Sequence, residues 1–550
     1  MPEIIPPYTK FIRTVRLKPE TVFLNQPFQG KWYEYTWQET DNQVRRMASY
    51  LKNLGYEPGS KVAIISKNCA HWIMSDLAIM MAGYVSVPLY PTIPADIIAY
   101  VLEHSEAKAA FVGKLDNWEQ QKSGLPTGIH TISFPFWTEK CDANWDEVIH
   151  QNEKLKEVTT RDGDDLMTII YTSGTTGLPK GVMHSFHSLS YAATNGVNFL
   201  DDLGNNERFF SYLPLAHIAE RMLVELGGIY SGGMISFAES IESFPENLRQ
   251  VRPTIFLAVP RIWTKFQMGI LEKLPQKKLN LLLSIPFVNT FIKKKIKAGL
   301  GLDRAKYLLA GAAPFAVTTI KWFETVGFDI CEAYAMTENC AYSHITKPKF
   351  RKPGSVGQIF PNVQVRISEE GEIQTKSEAN MLGYYKNPEK TAEVLLPDGF
   401  LCTGDQGEID ADGFLKITGR IKDIFKTDKG KYVAPAPIEV SLSKNTLIEQ
   451  VCLVGLGLPQ TMALIVLSEN ARTLSKSEVN QSLIETIKQV NTGLDKHEKI
   501  KKGIVMQEEW TVDNNLLTPT LKVKRNVLED KFKSFYKSWY EDSENIVWVS

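Results

Sequence analysis

The amino-acid sequence predicts an α/β protein with a large N-terminal domain, a β-barrel-like module at the end of that domain, and a small α+β domain at the C-terminus. Three observations lead to this prediction. Short apolar runs alternate with helical patterns from about residue 40 onward, which is typical of mostly parallel sheets. Short strands separated by turn residues follow one another after about residue 350. The pattern changes again at residues 419–423.

The first elements of the N-terminal domain are predicted in the order strand, helix, strand. The apolar run at residues 61–66 predicts a strand, residues 70–83 have a helical pattern, and residues 84–88 predict the next strand. The unit recurs near residues 109–112. Strands that alternate with helices in this way favour a parallel sheet joined by helical crossovers.

The region after residue 350 predicts an antiparallel, barrel-like module. Its predicted strands are 363–367, 371–375, 407–409 and 414–417, with turn residues rich in Asp, Glu, Gly and Pro between them. Beyond residues 419–423 the chain has further strands of its own, at 450–455 and 463–467, together with helical patterns. We therefore predict two domains, residues 1–421 and 422–550.

The composition limits the size and the partners of the protein. A length of 550 residues predicts more than one domain. An apolar content of 43% and a charged content of 23% are ordinary for a globular protein. The 62 basic and 63 acidic residues give a net charge of −1, so there is no overall basic field of the kind that attracts nucleic acid. We expect no nucleic-acid partner.

The cysteines and the N-terminus predict a cytoplasmic protein. Six cysteines are scattered without a Cys-x-x-Cys pair, which favours reduced thiols over a zinc site or a disulfide framework. The first residues lack the basic and apolar pattern of a signal peptide. No apolar run reaches the roughly 18 residues that a membrane span needs. Peripheral contact with the inner face of the membrane stays open.

Residues 277–297 are the unusual segment of the chain. A mostly apolar stretch, 279–292, lies between Lys277-Lys278 and the cluster Lys293-Lys294-Lys295 with Lys297. An apolar segment with lysines at its ends can lie in a membrane interface. A buried helix whose lysine stems reach out to solvent gives the same pattern. Both interpretations stay open.

Residues 171–181 predict a phosphate-binding loop that follows a strand at 166–170. The loop reads Tyr-Thr-Ser-Gly-Thr-Thr-Gly-Leu-Pro-Lys-Gly. Its glycines allow close approach to an anion, its hydroxyls donate hydrogen bonds, and Lys180 adds a mobile positive charge. A Walker A loop is excluded, because its lysine must enter a helix and Pro179 disfavours helix before Lys180.

This loop resembles the signature of the adenylate-forming superfamily, which comprises acyl-CoA synthetases, firefly-type luciferases and peptide-synthetase adenylation domains. The resemblance extends from about residue 30 to 530. It implies that the large domain consists of stacked α/β sheets and that the small domain is a mobile lid. It also implies that the loop binds the phosphates of ATP through seven residues: Thr172, Ser173, Gly174, Thr175, Thr176, Gly177 and Lys180.

Two further clusters match the nucleotide site of the superfamily. Gly311, Ala312 and Ala313 follow an apolar run, and small residues after a strand let a flat ring lie against the backbone. The matching segment of the superfamily holds adenine. Asp405 and Arg420 match the carboxylate and guanidinium that bind ribose, since a carboxylate accepts bonds from both hydroxyls.

Tyr334, Thr337 and Glu338 form the next cluster. Tyr334 offers a ring for stacking, Thr337 a donor near the α-phosphate, and Glu338 a hard oxygen ligand for Mg²⁺. The superfamily most often has glycine where this chain has Ala335. The resemblance implies that Thr172 and Glu338 lie near the metal and belong to the catalytic residues.

The C-terminal residues 517–525 resemble the long-chain fatty acyl-CoA synthetase branch of the superfamily. By that match Lys522 is the catalytic lysine, which offsets negative charge as a carboxylate approaches the α-phosphate. The usual superfamily form has glycine before this lysine, whereas this chain has Leu521. Lys422 occupies the hinge position of the family, and we also count it among the nucleotide-binding residues.

Residues 213–221 also resemble the long-chain branch. His217 would lie near the acyl carboxylate and act in catalysis, although a core histidine beside apolar residues fits the pattern equally well. The glycine-rich residues 227–233 would help to shape the acyl pocket, either by close packing or as a tunnel wall.

Together these matches predict an ATP-dependent fatty acid–CoA ligase for medium- to long-chain acids. It would form acyl-AMP and then acyl-CoA, with release of pyrophosphate and AMP, and with Mg²⁺ as cofactor. Two alternatives within the superfamily stay open, a ligase that transfers the acyl group to a carrier protein and a luciferase-like enzyme. A nucleotide-binding pseudoenzyme or membrane scaffold is a third alternative. The sequence predicts no oligomeric state.

Overall fold

The helices begin and end as follows in a computed structural model, which describes residues 3–137, 140–172, 178–200, 203–204, 206–512, 514–518 and 521–549. They are α1 (Pro7–Leu17), α2 (Trp37–Asn53), α3 (Ala70–Ala82), α4 (Ala95–Ser105), α5 (Trp118–Gln121), α6 (Trp145–Gln151), α7 (Phe186–Phe199), α8 (Ile218–Glu220), α9 (Gly227–Ser231), α10 (Phe244–Val251), α11 (Pro260–Lys273), α12 (Gln276–Ser284), α13 (Val288–Leu300), α14 (Val317–Thr325), α15 (Pro388–Val394), α16 (Pro435–Leu442), α17 (Lys476–Asn491), α18 (Arg525–Phe532) and α19 (Tyr536–Glu541).

The strands lie between these helices in chain order. They are β1 (Val22–Phe28), β2 (Lys31–Thr36), β3 (Lys61–Ile65), β4 (Val85–Leu89), β5 (Ala107–Val112), β6 (His130–Ser133), β7 (Ala143–Asn144), β8 (Leu166–Thr172), β9 (Lys180–Ser185), β10 (Arg208–Ser211), β11 (Met234–Phe237), β12 (Ile255–Ala258), β13 (Tyr307–Ala310), β14 (Ile330–Tyr334), β15 (His344–Ile345), β16 (Gln358–Ile359), β17 (Gln364–Ile367), β18 (Glu372–Lys376), β19 (Gly383–Tyr384), β20 (Leu401–Ile409), β21 (Leu415–Arg420), β22 (Phe425–Lys426), β23 (Tyr432–Val433), β24 (Ile448–Val454), β25 (Thr461–Leu467), β26 (Ile500–Val505) and β27 (Ile546–Trp548).

Among the described residues these strands form five sheets. A nine-stranded sheet has the order β16-β15-β14-β13-β12-β10-β11-β1-β2, and an eight-stranded sheet has the order β19-β9-β8-β4-β3-β5-β6-β7. The strands from β3 to β6 pair in parallel, and so do those from β10 to β14. The predicted α/β class with mostly parallel sheets is therefore confirmed.

Helix α3 lies in the core that joins the two large sheets. All of its residues are buried, as expected for a mostly apolar helix in the core of a large protein. The same core contains Phe23 of β1, Ile64 of β3 and Phe209 of β10. The two sheets are therefore stacked layers of one body.

A buried arginine ties the layers together where α8 continues into a short π-helix, Arg221–Leu226. Arg221 is fully buried, and its Nη2 lies 2.6 Å from an oxygen of Asp76 on α3. It also donates to Thr168 of β8 at 2.7 Å and to Ser86 of β4 at 3.0 Å. A buried charge that is paired and hydrogen-bonded in this way specifies one arrangement of its neighbours. The segment after His217 is thus held against the strand that leads into the phosphate loop.

The antiparallel prediction for the module after residue 350 is also confirmed. Its sheet has the strand order β17-β18-β20-β21, and each neighbouring pair is antiparallel. After the turn Ile421–Asp423, the small pair β22-β23 and the sheet β24-β25-β26-β27 carry the C-terminal region together with α16 to α19. The predicted boundary between residues 421 and 422 falls within that turn, so the small α+β region is formed by the residues after it.

The unusual segment 277–297 forms two helices joined by a turn. Leu279 of α12 is buried, whereas α13 contains no buried residue. The tip of the turn carries exposed apolar side chains, among them Phe287 and Phe291. The interpretation as a buried helix therefore holds for one stripe of the segment and is wrong for its tip. Among the described residues, no helix combines the length and the apolar character needed to cross a membrane.

Candidate active site

The predicted phosphate loop connects two neighbouring antiparallel strands. Thr172, the last residue of β8, pairs with Lys180, the first residue of β9. Lys180 therefore enters a strand and not a helix, as Pro179 predicted. Gly181 lies where an added Cβ would come within 2.6 Å of Ile169, so close packing of the two strands requires glycine there. The predicted phosphate ligands between the strands, which are Ser173, Gly174, Thr175, Thr176 and Gly177, lie outside the described residues.

Lys180 and Glu338 meet at a tyrosine that the sequence analysis did not single out. The hydroxyl of Tyr384 donates to Glu338 Oε1 at 2.8 Å, and the Lys180 ammonium lies 5.0 Å from the centre of the Tyr384 ring. Tyr384 is on β19, which pairs with β9, the strand that begins at Lys180. The strand pairing thus places a phenol between the predicted phosphate-binding lysine and the predicted metal ligand.

Burial raises the pKa of Glu338, and the hydrogen bond from Tyr384 and the charges of Lys180 and Arg420 counteract that shift. A buried carboxylate of this kind gains most from a nearby cation. Its second oxygen, Oε2, accepts no hydrogen bond from the residues that the structure describes. No group of three His, Cys, Asp or Glu side chains suited to a metal occurs among those residues. The donors fit a Mg²⁺ ion bound by one carboxylate and by substrate phosphates, which is how Mg²⁺ is usually held.

The predicted ribose ligands face each other across a strand pair. Asp405 of β20 is the register partner of Arg420 of β21, and Arg420 Nε lies 3.3 Å from Asp405 Oδ1. The Tyr334 hydroxyl donates to the other oxygen, Oδ2, at 2.8 Å. Burial raises the pKa of Asp405, while Arg420 and Tyr334 favour its charged form. Tyr334 is therefore linked to the predicted ribose ligands as well as being available for stacking.

The predicted adenine segment follows β13 and lies against β14. A Cβ at Gly311 would come within 3.1 Å of the Ala333 carbonyl oxygen, so glycine allows the two strands to lie close together here. Ala312 has a φ of +65°, in the left-handed region that few residues with a side chain adopt. Ala312 and Ala313 are exposed. The segment therefore presents its backbone and small side chains to the cleft.

Lys522 is carried by a short loop of the C-terminal region. Thr518 and Lys522 are joined by a bond from the Thr518 N–H to the Lys522 carbonyl at 2.8 Å and by one from the Lys522 N–H to Thr518 Oγ1 at 3.1 Å. Leu521, at the tip, has a φ of +60°. This backbone conformation explains why glycine is the usual residue before the lysine, because only glycine adopts it without steric cost.

The Lys522 ammonium lies among the charges of the large domain. Burial of this group lowers its pKa, and Arg420 lowers it further, while Asp405 and Glu338 raise it. Much of the side chain still contacts the open cleft. The C-terminal region thus brings one positive charge to the carboxylates and arginine that the other region supplies.

His217 lies at the start of α8 and also near Lys522. Its Nδ1 accepts a hydrogen bond from the Ala219 N–H at 3.2 Å. Burial, and then the charge of Lys522, lower the pKa of His217 to about 4. The ring is therefore neutral near pH 7, and it has a structural role as a helix cap as well as a place beside the predicted catalytic lysine.

One cleft of about 3950 Å³ brings the predicted residues together. All of the predicted site residues that the structure describes line it: Thr172, Lys180, His217, Gly311, Ala312, Ala313, Tyr334, Thr337, Glu338, Asp405, Arg420, Lys422 and Lys522. They come from both large sheets, the antiparallel module and the C-terminal region. The geometry supports binding of a nucleotide triphosphate with a lysine directed at it from the small region.

The same cleft extends into an apolar part between α7, the π-helix and β10. Its walls there contain Ala192, Ala193, Gly196, Val197, Phe209, Met222, Leu223 and Gly227. For the glycine-rich residues 227–233 we predicted either close packing or a place in a tunnel wall, and the structure has one glycine in each setting. Gly227 lines the cleft, and a Cβ on Gly228 would come within 2.6 Å of Ile235. An apolar groove that leads away from the predicted reacting groups fits a hydrocarbon chain.

A second residue that sequence reasoning missed is His184 of β9. Its Nε2 lies 2.7 Å from the Thr337 carbonyl oxygen, and its Nδ1 lies 3.2 Å from the sulfur of Cys340. Burial lowers the pKa of His184 to about 4. The neutral ring therefore fixes the turn that carries Thr337 and Glu338 to the strand that follows the phosphate loop. No spacing in the sequence indicates this contact, because the partners are 153 residues apart.

Family models match most of the chain. The model of the AMP-binding enzyme family matches residues 11–385, and that of the AMP-binding enzyme C-terminal domain matches residues 422–544. The rat (Rattus norvegicus) long-chain-fatty-acid–CoA ligase 5 is 31% identical over 94% of this chain and 85% of its own length. The long-chain-fatty-acid–CoA ligase FadD15 of Mycobacterium bovis is 28% identical over 95% of both chains.

Solved structures with the same fold include a ligase in complex with an acyl-adenylate and an adenylation domain. The anthranilate CoA ligase AuaEII in complex with anthranoyl-AMP is similar with a TM-score of 0.80 at 19% identity, over 97% of this chain and 98% of the other. The adenylation domain of a carboxylate reductase from Mycobacterium chelonae has a TM-score of 0.81 at 21% identity, over 98% of this chain and 91% of the other. At these identities the likeness shows the fold.

Proposed function

The chain belongs to the AMP-binding enzyme family, and on that premise we propose that it is an ATP-dependent fatty acid–CoA ligase for medium- to long-chain acids. The observation that carries the proposal is the position of Lys522. It reaches from the C-terminal region into the cleft that Glu338, Asp405 and Arg420 line. The names of the relatives support an acyl-CoA ligase, and the apolar part of the cleft supports a hydrocarbon substrate.

In the first step a fatty carboxylate oxygen attacks the α-phosphorus of ATP. The new bond joins the carboxylate oxygen to phosphorus, the bond from the α-phosphorus to the bridging oxygen breaks, and pyrophosphate leaves with the electron pair. Asp405 and Arg420 hold the ribose, and Lys180 contacts the phosphates. Lys522 lies between the two approaching anions and offsets their repulsion. Positioning and electrostatic stabilisation therefore provide the catalysis.

Glu338 and Thr172 are the residues that would hold the metal. A bound Mg²⁺ ion neutralises part of the phosphate charge. The hydrogen bond from Tyr384 favours the charged form of Glu338 and orients it, against the burial that raises its pKa. Thr172 presents its side chain at the end of β8, directly before the phosphate loop. His217, being neutral, adds no positive charge beside Lys522.

In the second step the thiol of CoA attacks the acyl carbonyl of acyl-AMP. A carbon–sulfur bond forms, the thiol proton is lost to solvent, the carbon–oxygen bond to phosphate breaks, and AMP leaves with the electron pair. Lys522 lies in the cleft during the first step, so we propose that the small domain, residues 422–550, rotates about Lys422 and withdraws it. Lys422 lies in the turn at the domain boundary, where a change in few backbone angles moves the whole domain.

The test is to measure AMP release that depends on both CoA and a fatty acid, with acids from short to very long chains. The proposal predicts release of AMP and formation of a thioester, with the highest rates for medium or long chains. Exchange of pyrophosphate into ATP in the absence of CoA reports the first step alone. Acyl-AMP formation without transfer to free CoA would point to a carrier-protein acceptor or a luciferase-like reaction. No exchange with any acid would contradict an enzymatic role.

A further inference from the structure

The paired helices α12 and α13, residues 276–300, carry a concentration of positive charge that the candidate active site does not use. We call this segment the lysine hairpin. Residues 273–302 contain no Asp or Glu, although the whole chain has a net charge of −1. Their lysines are Lys273, Lys277, Lys278, Lys293, Lys294, Lys295 and Lys297. Such a local excess of one sign creates a field that attracts an anionic partner.

The tip of the lysine hairpin holds aromatic and aliphatic side chains in solvent. Phe287 is 91% exposed, Phe291 65%, Leu281 63% and Ile285 41%. Phe287 and Phe291 are four residues apart at the start of α13 and therefore lie on one face of it. One helical turn further along α13, the same face meets the lysines at residues 293–295. A cluster of exposed apolar groups bordered by charge marks an interaction site.

The backbone of the tip directs Phe287 outward. Phe287 has a φ of +65° and a ψ of −43°, and the Val288 N–H donates to the Pro286 carbonyl at 2.8 Å. This is the rare γ-turn with positive φ, which is strained for a bulky residue. The Asn289 side chain donates to the Leu283 carbonyl at 2.9 Å and closes the end of α12. Backbone strain of this kind is concentrated at functional sites, so its presence at an exposed aromatic residue favours a functional role for Phe287.

The opposite side of the lysine hairpin is anchored to the body of the protein. Leu279 is fully buried, and a stripe of Leu283, Ile292, Ile296 and Leu300 packs on the second hydrophobic core. The Trp322 indole donates to Gln276 at 2.8 Å. The tip is therefore presented by a rigid platform and is not a frayed end.

The positive charge of the lysine hairpin favours an anionic partner over a second copy of the chain. Two copies of the chain that met tip to tip would bring two sets of lysines together and repel each other. A bilayer with anionic headgroups offers negative charge to the lysines and an apolar layer just beneath it to the phenylalanines. A lysine near an anionic surface contributes about 1 kcal/mol of attraction, and apolar side chains that enter the interface add to it.

We infer that the lysine hairpin docks the protein on the surface of anionic phospholipid membranes, with Phe287 and Phe291 in the interface. The anchored side of the hairpin lines the same cleft as the candidate active site, through Leu282, Ile296 and Leu300. The docking itself does not depend on the proposed reaction.

The test uses flotation of the full-length protein with vesicles of phosphatidylcholine alone or mixed with phosphatidylglycerol. We expect binding to the mixed vesicles and weaker binding at high salt, which screens the lysines. The double variant F287S/F291S should lower the partition coefficient roughly tenfold or more. Phe350→Ser is the matched control, since Phe350 is 67% exposed and lies outside the hairpin, and it should bind as the parent protein does.

A second pair of variants tests the charge. K277Q/K294Q should lower binding to the mixed vesicles roughly tenfold, whereas K496Q/K499Q in the C-terminal region should leave it unchanged. Circular dichroism melts of all variants establish that each is folded. Equal binding to the two kinds of vesicle, no binding at all, or binding that F287S/F291S leaves intact would overturn the inference. Self-association that F287S/F291S abolishes would also overturn it, because the tip would then join copies of the chain.

Discussion

The two walls of the cleft are built in different ways. On the wall of the large domain, Glu338 and Asp405 are held by tyrosines from other strands, at 2.8 Å from Tyr384 and 2.8 Å from Tyr334. On the opposite wall, Lys522 projects from a short loop whose bonds to Thr518 lie within the loop itself. The predicted nucleotide-binding side is thus built into the sheets of the large domain, and the predicted catalytic lysine comes from the C-terminal region.

The difference shows how one site can serve two steps. Burial and Arg420 lower the pKa of Lys522, and Asp405 and Glu338 counteract them. Lys522 therefore lies where an arginine and two carboxylates act on its charge in opposite directions. The bonds from the tyrosines to the two carboxylates involve residues of the large domain alone. If the proposed second step requires the lysine to leave, its place on a separate region would let it withdraw without breaking the bonds from the tyrosines to the carboxylates.

Removal of the lysine should have the largest effect and separate the two walls most clearly. We expect Lys522→Ala to slow formation of acyl-AMP by about 10²- to 10³-fold, the loss typical for one preorganised electrostatic group. Preformed acyl-AMP should still become thioester at nearly the parent rate. Pyrophosphate exchange and thioester formation from synthetic acyl-AMP measure the two steps. Equal losses in both would contradict the assignment of Lys522 to the first step.

Restriction of the boundary turn should produce the reverse pattern. Proline fixes φ, so Lys422→Pro should slow thioester formation by roughly tenfold or more while pyrophosphate exchange stays near the parent value. Lys422→Ala is the control, because it removes the charge and keeps the backbone free. If Lys422→Pro were slow in exchange and normal in thioester formation, the turn would not be the hinge.

Loss of the Tyr384 hydroxyl should weaken the binding wall in a pH-dependent way. The hydrogen bond from Tyr384 lowers the pKa of Glu338, which burial raises. Tyr384→Phe should therefore raise the pKa of Glu338, and the acid limb of the pH–rate profile for pyrophosphate exchange should move to higher pH. At still higher pH, where Glu338 is ionised in both proteins, the rates should converge. A uniform loss at every pH would indicate a role other than tuning Glu338.

The smallest effect is expected at the tip of the lysine-bearing loop. Leu521 has a φ of +60°, so Leu521→Gly should relieve about 1 kcal/mol of backbone strain and lose a similar amount through greater freedom of the unfolded chain. The midpoint of thermal unfolding and the rate of acyl-AMP formation should both change little. Leu521→Ala keeps the strain and serves as the comparison. A large loss of activity in the glycine variant alone would show that a stiff loop is needed to place Lys522.

Local patterns predicted much of the fold. The strands at β3, β4, β5 and β8 and the helix α3 lie where the apolar runs and helical patterns placed them, within one or two residues. The order of strands in the two large sheets could not be predicted, because β1 pairs with β11 across more than 200 residues. The periodicity of an apolar run indicates that it is buried and leaves its partner undefined.

The lysine hairpin shows the same limit. Its composition predicted either a buried helix or an interfacial one. In the structure some of its apolar residues are buried and others are exposed. Leu279 is buried and Phe287 is exposed, because the hairpin packs on the body through one stripe only. Which stripe is covered depends on residues such as Trp322, which comes later in the chain and approaches only in the folded protein.

The sequence by itself determined the kinds of chemistry at the site: a glycine- and hydroxyl-rich loop with Lys180, the carboxylates Glu338 and Asp405, and a lysine near the C-terminus. The phosphate-binding character of the loop follows from residue types and short spacings, which are local properties of the chain, whereas the predicted roles of the two carboxylates and of the C-terminal lysine follow from the resemblance of their segments to the superfamily. Only the tertiary structure decided that Tyr384 binds Glu338, that His184 fixes the turn after Met336, and that Lys522 faces both carboxylates. Those contacts join residues far apart in the chain, and they arise from strand pairing and from the packing of one region on another, which no local pattern specifies.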